Sequence, residues 1–295
     1  MARPAPRERS IDDRRSFGVI NLDKPPGPTS HQVASWVKDL LGIDRAAHAG
    51  TLDPKVSGCL PVLLGDATRL AQALLVGPKE YVVVLELHDR PPARLETVLE
   101  EFEGEIYQKP PRKSAVARRL RTRRIHRLEA LEVDGRSVLL SVRCESGTYI
   151  RKLCHDLGLA LGIGAHMGEL RRTGTTPFDD RDLVTLHDLA DAAAFAVDGD
   201  EAPLDAILRP GEDALEHLPR IVIAPTAAAT VADGAPVYAP GVIEATTTPD
   251  QEGDLVVCVT PNGAAVCLGR LVGDPNANRG EVVDLERVLV DRDDG

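Results

Sequence analysis

The sequence predicts an α+β fold followed by a small C-terminal β-barrel. Apolar runs of strand length stand beside segments with apolar residues at helical spacing from Phe17 to about Ala206. From Leu218 onward the pattern changes to short valine- and isoleucine-rich runs, LPRIVIA, APVYAPGV, DLVVCVT and GAAVCLGRLV, separated by Pro, Gly, Asp and Asn. With 295 residues and 43% hydrophobic content the chain can bury two cores. The boundary is expected near residues 213–218.

Taken in order, residues 1–16 are a mixed-charge tail, expected to stay unstructured unless it packs on another domain. FGVINL (17–22) reads as a strand stopped by Asp23, Lys24, Pro25, Pro26 and Gly27. Thr29 or Ser30 can cap a helix over 31–41, in which Val33, Trp36, Val37, Leu40 and Leu41 fall at helical spacing and Trp36 is expected in the core. HAGTLDPKVSGCLPVLLGDATRLA (48–71) then sets a lone carboxylate, Asp53, among the turn formers Gly50, Thr51, Pro54 and Gly58, with the apolar run 60–64 anchoring the turn. Residues 66–76 read as a helix, 81–87 as a strand buried on both faces and 92–102 as a short helix. Strands at 125–133 and 137–144 meet at Asp134-Gly135, a hairpin dipeptide. ESGTYIRK (145–152) leads into a helix buried through Ile150, Leu153, Leu157 and Leu161, so Arg151 and Lys152 fall in its first turn. GIGAHMGELRRT (162–173) is a loosened turn and a short strand ending in two arginines, and 179–206 holds a peripheral helix after Thr185.

No stretch approaches the roughly 20 apolar residues of a membrane span, and the polar start is unlike a secretory signal. Both point to the cytoplasm. Cys59, Cys144, Cys154, Cys258 and Cys267 lie scattered in apolar strings and are expected to be reduced core thiols. His48, His155 and His166 form no metal spacing and are expected to be structural, or to contact RNA if the chain binds one. A net charge of −11 argues, taken alone, against a nucleic-acid partner. Its lysine-poor, acid-rich make-up resembles that of proteins from salt-accumulating archaea; at about 1 M salt the Debye length is about 3 Å, so diffuse repulsion from phosphate is screened and close contacts decide binding. Residues 109–127 carry Lys109, Arg112, Lys113, Arg118, Arg119, Arg121, Arg123, Arg124 and Arg127 without one acid, a basic segment in an acidic chain.

Five ordered motifs, GVINLDKPPGPTSHQV (18–33), the 48–71 stretch, KEYVV around Tyr81, SGTYIRKL around Tyr149 and GAHMGELRRT, together resemble the pseudouridine synthase family that includes bacterial tRNA uridine-55 synthase. QKPPRKSAVARRLRTRRI (108–125) and the terminal barrel resemble more narrowly its dyskerin-like branch, the catalytic subunit of H/ACA guide-RNA particles. The resemblance implies a mixed, mainly antiparallel central sheet with flanking helices over 17–217, a thumb loop at about 109–124 and an RNA-binding PUA domain over 218–295. It implies isomerisation of uridine to pseudouridine in rRNA, directed by a guide RNA and small partner proteins, in tRNA, or in both, with no cofactor and no metal. Asp53, Tyr81 and Arg151 match the family's catalytic residues. Tyr149, Leu170, His48 and Lys24 would line the pocket, and Lys109, Arg112, Lys113, Arg118, Arg119, Arg121, Arg123, Arg124 and Lys152 would bind RNA. The expected PUA helix (225–233) departs from the pattern in lacking a basic residue.

The chemistry agrees with a lone carboxylate. Pseudouridine forms when the C1′–N1 bond breaks, the base turns and C1′ rejoins through C5, with no redox step. Addition of the carboxylate to C1′, addition to the uracil ring and removal of the C2′ proton are all compatible with one aspartate. Arg151 would hold that aspartate as an ion pair, and Tyr81 would stack on a base flipped out of its helix. Two other classes remain: an RNA-particle scaffold with a degenerate site, which the intact set Asp53, Tyr81, Tyr149 and Arg151 disfavours, and an aspartyl phosphotransferase, which lacks a second nearby aspartate.

Overall fold

The computed structural model describes residues 3–110, 119–246 and 253–290. Arg112, Lys113 and Arg118 of the basic segment lie outside them. The N-terminal segment does pack. Helix α1 (Ile11–Ser16) opens on a capping box between Ser10 and Asp13. The fully buried Arg9 side chain donates twice to Glu212, at 2.7 Å each, while Arg3 donates to the Leu289 carbonyl at 2.5 Å. The tail thus straps the end of the first unit to the barrel.

Strand β1 (Phe17–Lys24) is almost wholly buried and leads through the proline turn to α2 (Ser30–Leu41), which has a Thr29–Gln32 capping box and ends at Gly42, φ +62°. Trp36 is not core: it is 45% exposed. The buried stripe of α2 is Ser30, Val33, Ala34, Val37 and Leu41, and Trp36 falls on its flank. Strands β2 (Ala46–His48) and β3 (Ser57–Gly65) flank the Asp53 loop. The helix expected over 66–76 is instead two 3-10 turns, Asp66–Leu70 and Ala73–Leu75. Ala67, Leu70, Ala73 and Leu74 are buried, so both turns face the core.

Strand β4 (Lys79–Leu87), α3 (Leu95–Glu101), β5 (Gly104–Gln108), β6 (Arg121–Asp134) and β7 (Ser137–Cys144) follow, with Asp134 paired to Ser137 across a two-residue turn at Gly135, φ +58°. Helix α4 (Ile150–Leu161) delivers Arg151 in its first turn, as expected. The strand expected to be short, β8 (Ala165–Thr175), runs for 11 residues. It is followed by β9 (Phe178–Asp179), α5 (Leu186–Val197) capped by Thr185, α6 (Ala202–Ile207) and β10 (Arg209–Pro210). The ten-stranded sheet runs β10-β1-β3-β8-β4-β7-β6-β5, with β2 on β3 and β9 on β8; its pairings are antiparallel apart from β3–β8. It is mixed and mainly antiparallel, as the resemblance implied.

The second sheet comprises β11 (Arg220–Ile223), β12 (Val237–Tyr238), β13 (Val242–Ala245), β14 (Leu255–Val259), β15 (Ala265–Leu271) and β16 (Glu281–Val288), with helix α7 (Pro225–Ala232). Its order, β12-β16-β15-β14-β11-β13, gives a nearly closed barrel. Strand β16 was absent from the four expected runs because Asp284, Glu286 and Arg287 break its apolar signal. One hydrophobic cluster joins the two sheets: Phe17, Leu63, Leu70 and Leu74 pack with Leu255, Val257, Leu268 and Leu289. All five cysteines are buried free thiols. Among the described residues no helix is long and apolar enough to cross a membrane.

Candidate active site

Between β2 and β3 the chain makes a loop whose flanks are pinned and whose middle, Asp53, stands out to solvent. The buried Ser30 hydroxyl accepts from Leu52 N–H at 2.9 Å and donates to the Leu52 carbonyl at 3.1 Å. Gly27 N–H donates to the Pro54 carbonyl at 2.7 Å, and Val56 N–H closes the turn on the Asp53 carbonyl at 2.9 Å. Lys24, expected to line a pocket, is fully buried beneath the loop and donates to the carbonyls of Pro25, Pro54 and Val56 at 2.9, 3.1 and 2.8 Å. Burial lowers its pKa, and the nearby Asp53 charge offsets part of that shift. His48 is half-buried at the end of β2 and is pushed toward its neutral form by burial, then by the charges of His31 and Arg172. Its Nδ1 is buried without a hydrogen-bond partner among the described residues.

Arg151 meets the loop from α4. Its Nη2 donates to Asp53 Oδ2 at 2.7 Å. The helix start is fixed one residue earlier: buried Gln108 accepts from Tyr149 N–H at 2.9 Å and donates to the Tyr149 carbonyl at 3.2 Å. Tyr149 is the half-buried N-cap residue of α4. Lys152, the next residue after Arg151, pairs instead with Asp156 within the helix.

Tyr81, on β4, lies directly across from Arg172 of β8, and Val83 lies across from Leu170. Alternation puts Tyr81 and Leu170 on the same face of the sheet. Burial raises the Tyr81 pKa; the Arg172 guanidinium, as a charge and as a hydrogen-bond donor to the phenol, opposes part of that rise. Sequence reasoning assigned no role to either arginine of the Arg171–Arg172 doublet within β8. Arg172 is 2% exposed and donates to the Cys59 carbonyl at 2.7 Å and the Gly50 carbonyl at 3.1 Å. Arg171 makes a two-pronged pair with Asp23 at 2.9 and 3.0 Å. The available signal was the doublet itself, two adjacent cations within one strand of a chain in which acids outnumber bases.

The described part of the basic segment runs along the β5–β6 edge. Lys109, Arg119 and Arg124 are exposed, and Arg121 faces Gln108 in register. Arg123 pairs with Glu145 at 3.3 Å and Arg127 with Glu129 at 2.6 Å, so acids outside the run neutralise part of it. Among the described residues no group of three or more His, Cys, Asp and Glu side chains is arranged to hold a metal ion.

The structure thus pairs Asp53 with Arg151 across the loop and α4, sets Lys24 beneath the loop and Arg172 between the loop, β3 and β4, puts Tyr81 and Leu170 on one face of the sheet, and leaves Tyr149 at the α4 start and His48 at the end of β2. Comparison with known proteins agrees along the chain. Residues 38–93 and 89–150 match the TruB family pseudouridylate synthase N-terminal domain, and 151–216 the tRNA pseudouridylate synthase B C-terminal domain. Residues 4–34 match the DKCLD (NUC011) domain and 219–289 the PUA domain. A Halobacterium salinarum protein described as "Probable tRNA pseudouridine synthase B" is 66% identical over 298 residues, covering 98% of this chain and 99% of that protein. A Pyrococcus furiosus protein of the same description is 49% identical, covering 98% and 86%. Among solved structures, "Crystal Structure of a Cbf5-Nop10-Gar1 Complex" matches with TM-score 0.94 at 48% identity, covering 99% of this chain and 91% of the other. "Structure of H/ACA RNP bound to a substrate RNA containing 2'-deoxyuridine" matches with TM-score 0.91 at 46% identity and the same coverage.

Proposed function

Because the chain belongs to the TruB family of pseudouridylate synthases, isomerases acting on uridine in RNA, we propose that Asp53 is its reacting carboxylate and that Arg151 and Tyr81 complete the catalytic set. The contact that carries this reading is Arg151 Nη2 to Asp53 Oδ2 at 2.7 Å, made between a pinned loop and a helix start. In the reaction the C1′–N1 bond breaks, C1′–C5 forms, C5 gives up a proton and N1 gains one. The Asp53 carboxylate reaches the nucleotide from an exposed loop, and Arg151 orients it by a charge-assisted hydrogen bond. Tyr81, kept protonated by its raised pKa, offers the base a ring to stack on and a neutral hydroxyl near C5. Tyr149 and Leu170 wall the pocket, His48 presents a neutral imidazole at its rim, and Lys24 positions the loop through two of its carbonyls, those of Pro54 and Val56.

The uridine must arrive unpaired or flipped out, because a stacked base hides both C1′ and C5. Lys109, Arg112, Lys113, Arg118, Arg119, Arg121, Arg123 and Arg124 bind its RNA backbone, arginine forks suiting phosphate, and Lys152 adds a charge at the α4 start. Relatives described as tRNA pseudouridine synthase B support tRNA as a substrate. The Cbf5-Nop10-Gar1 complex and the H/ACA RNP bound to a substrate RNA support action within such a particle with small partner proteins, and we take rRNA directed by a guide RNA as the second substrate. Work on both RNA classes would place the protein in the cytoplasm. The boundary near 217–218 separates the catalytic unit from the RNA-binding barrel.

The test is pseudouridine formation by the purified protein at high salt, on a tRNA transcript and on an rRNA fragment with guide RNA and partners. Asp53→Asn is expected to abolish product on whichever RNA the wild type modifies, while RNA affinity stays within about 3-fold. Full turnover by that variant overturns the assignment.

A further inference from the structure

Arg172 is a buried cation without a carboxylate. Among the described residues no acid lies within ion-pair distance of it; its guanidinium donates to the Cys59 carbonyl at 2.7 Å and the Gly50 carbonyl at 3.1 Å, and it stands directly across the sheet from Tyr81, whose phenol its charge favours in the ionised form. Burying an unpaired charge is costly, and such groups are retained where their donors all find partners or where the site needs the charge. These three groups come from three different elements. Gly50 lies in the Asp53 loop, Cys59 begins the core of β3, and Tyr81 stands on β4. Register agrees: Arg172 is paired with Gly58 on one side and with Tyr81 on the other. The loop is shaped for the contact, since Gly50 has φ +78° and a Cβ there would sit 3.1 Å from Arg172 Nη1.

We propose that Arg172 is a positioning residue for the isomerisation, a single rigid fork that sets the Asp53 loop and the Tyr81 phenol at a fixed separation. This rests on the reading of Asp53 and Tyr81 as reacting groups. The planar guanidinium can hold three oxygens at once in directions a lysine ammonium cannot reproduce on its flexible stem. Arg172 does not touch the nucleotide; it acts through the carbonyl three residues before Asp53 and through Tyr81.

The experiment compares wild type, Arg172→Lys, Tyr81→Phe and the double variant in single-turnover pseudouridine formation, with RNA binding and thermal melting measured beside it. Arg172→Lys is expected to lower kcat about 10- to 100-fold with KM within about 3-fold of wild type. Its effect is expected to shrink severalfold in the Tyr81→Phe background, a coupling that general destabilisation does not produce. Wild-type kcat in a folded Arg172→Lys protein, or an equal loss in both backgrounds, overturns the proposal. If Arg172→Lys does not fold, Gly50→Ala, which strains the loop at φ +78° as well as crowding the guanidinium, is read through its coupling to Tyr81→Phe: a kcat loss of 10-fold or more that shrinks severalfold in the Tyr81→Phe background supports the proposal, and unchanged kcat or an equal loss in both backgrounds overturns it. Asp53→Asn runs in parallel; if it retains turnover, the reading of the site falls, whereas a dead Asp53→Asn beside a fully active Arg172→Lys removes only the role given to Arg172.

Discussion

Arg151 and Asp53 meet at 2.7 Å although both are open to solvent, their side chains 59% and 62% exposed. An exposed pair of this kind contributes about 0 to 1 kcal/mol to stability, so its tight geometry serves something other than folding. Arg151→Lys keeps the charge and loses the guanidinium fork. It is expected to lower kcat by about 100-fold or more while the melting temperature moves by less than about 3 °C, measured by release of the uridine C5 hydrogen on pseudouridine formation and by calorimetry on the same preparation.

Tyr81 has its phenol pKa raised above 10.0 by burial, so it stays protonated through neutral and mildly alkaline pH. Tyr81→Phe removes the hydroxyl and keeps the ring. Turnover is expected to fall by about 100-fold or more with RNA affinity retained, since stacking remains and the proton chemistry does not. Subtracting the alkaline ultraviolet titration of the variant from that of the wild type should place the missing tyrosinate signal above pH 10; a signal near pH 8 contradicts the buried neutral phenol.

The Arg9–Glu212 pair is of the opposite kind. Its side chains are 0% and 11% exposed, and Glu212 also accepts from Ala265 N–H at 2.9 Å. Glu212→Gln leaves a buried guanidinium without its counter-charge, an expected loss of about 3 kcal/mol. Replacing both residues, Arg9→Met with Glu212→Leu, is expected to cost less than the single change. Urea titrations of the three proteins decide it, and equal losses for the single and double variants count against this account.

His217, in the segment between the two sheets, points Nε2 at the Ala73 carbonyl at 2.9 Å, and burial lowers its pKa below 6.5. The folded protein therefore keeps it neutral while the unfolded chain takes up a proton as pH falls through 6.5. Stability is complete above that value and declines below it, at up to about 1.4 kcal/mol per unit by which the pKa is lowered. His48, lowered in the same direction, adds to the decline. Melting temperatures from pH 8 to pH 5 should show it, with a shallower fall in His217→Gln.

Local chemistry made much of this legible from the sequence. Thr29 and Thr185 announce helix starts, Gly135 closes a hairpin, and the Gly/Pro setting of Asp53 marks an exposed turn, because each depends on neighbours within four residues. What failed depends on distant partners. Trp36 has the spacing of a core residue, yet which edge of α2 is covered is set by the sheet and α5. The 66–76 segment has helix-forming composition and apolar residues at helical spacing, yet it folds as two 3-10 turns with Leu70, Ala73 and Leu74 packed in the cluster that also holds barrel residues distant in sequence. Asp53 and Arg151 are 98 residues apart, and no spacing rule joins them; the family motifs did. Arg172 lay in one of those motifs, and its role appears only once β3, β4 and β8 are side by side.

The hydrophobic cluster shared by the two sheets bears on how such a protein can be taken apart. Phe17, Leu63, Leu70 and Leu74 would be stripped of cover by cutting the chain at residue 217, and Leu255, Val257, Leu268 and Leu289 would be bared on the other fragment. The barrel is therefore no detachable cassette: grafting a foreign one in its place, or excising it to obtain a smaller enzyme, would require a matching apolar floor.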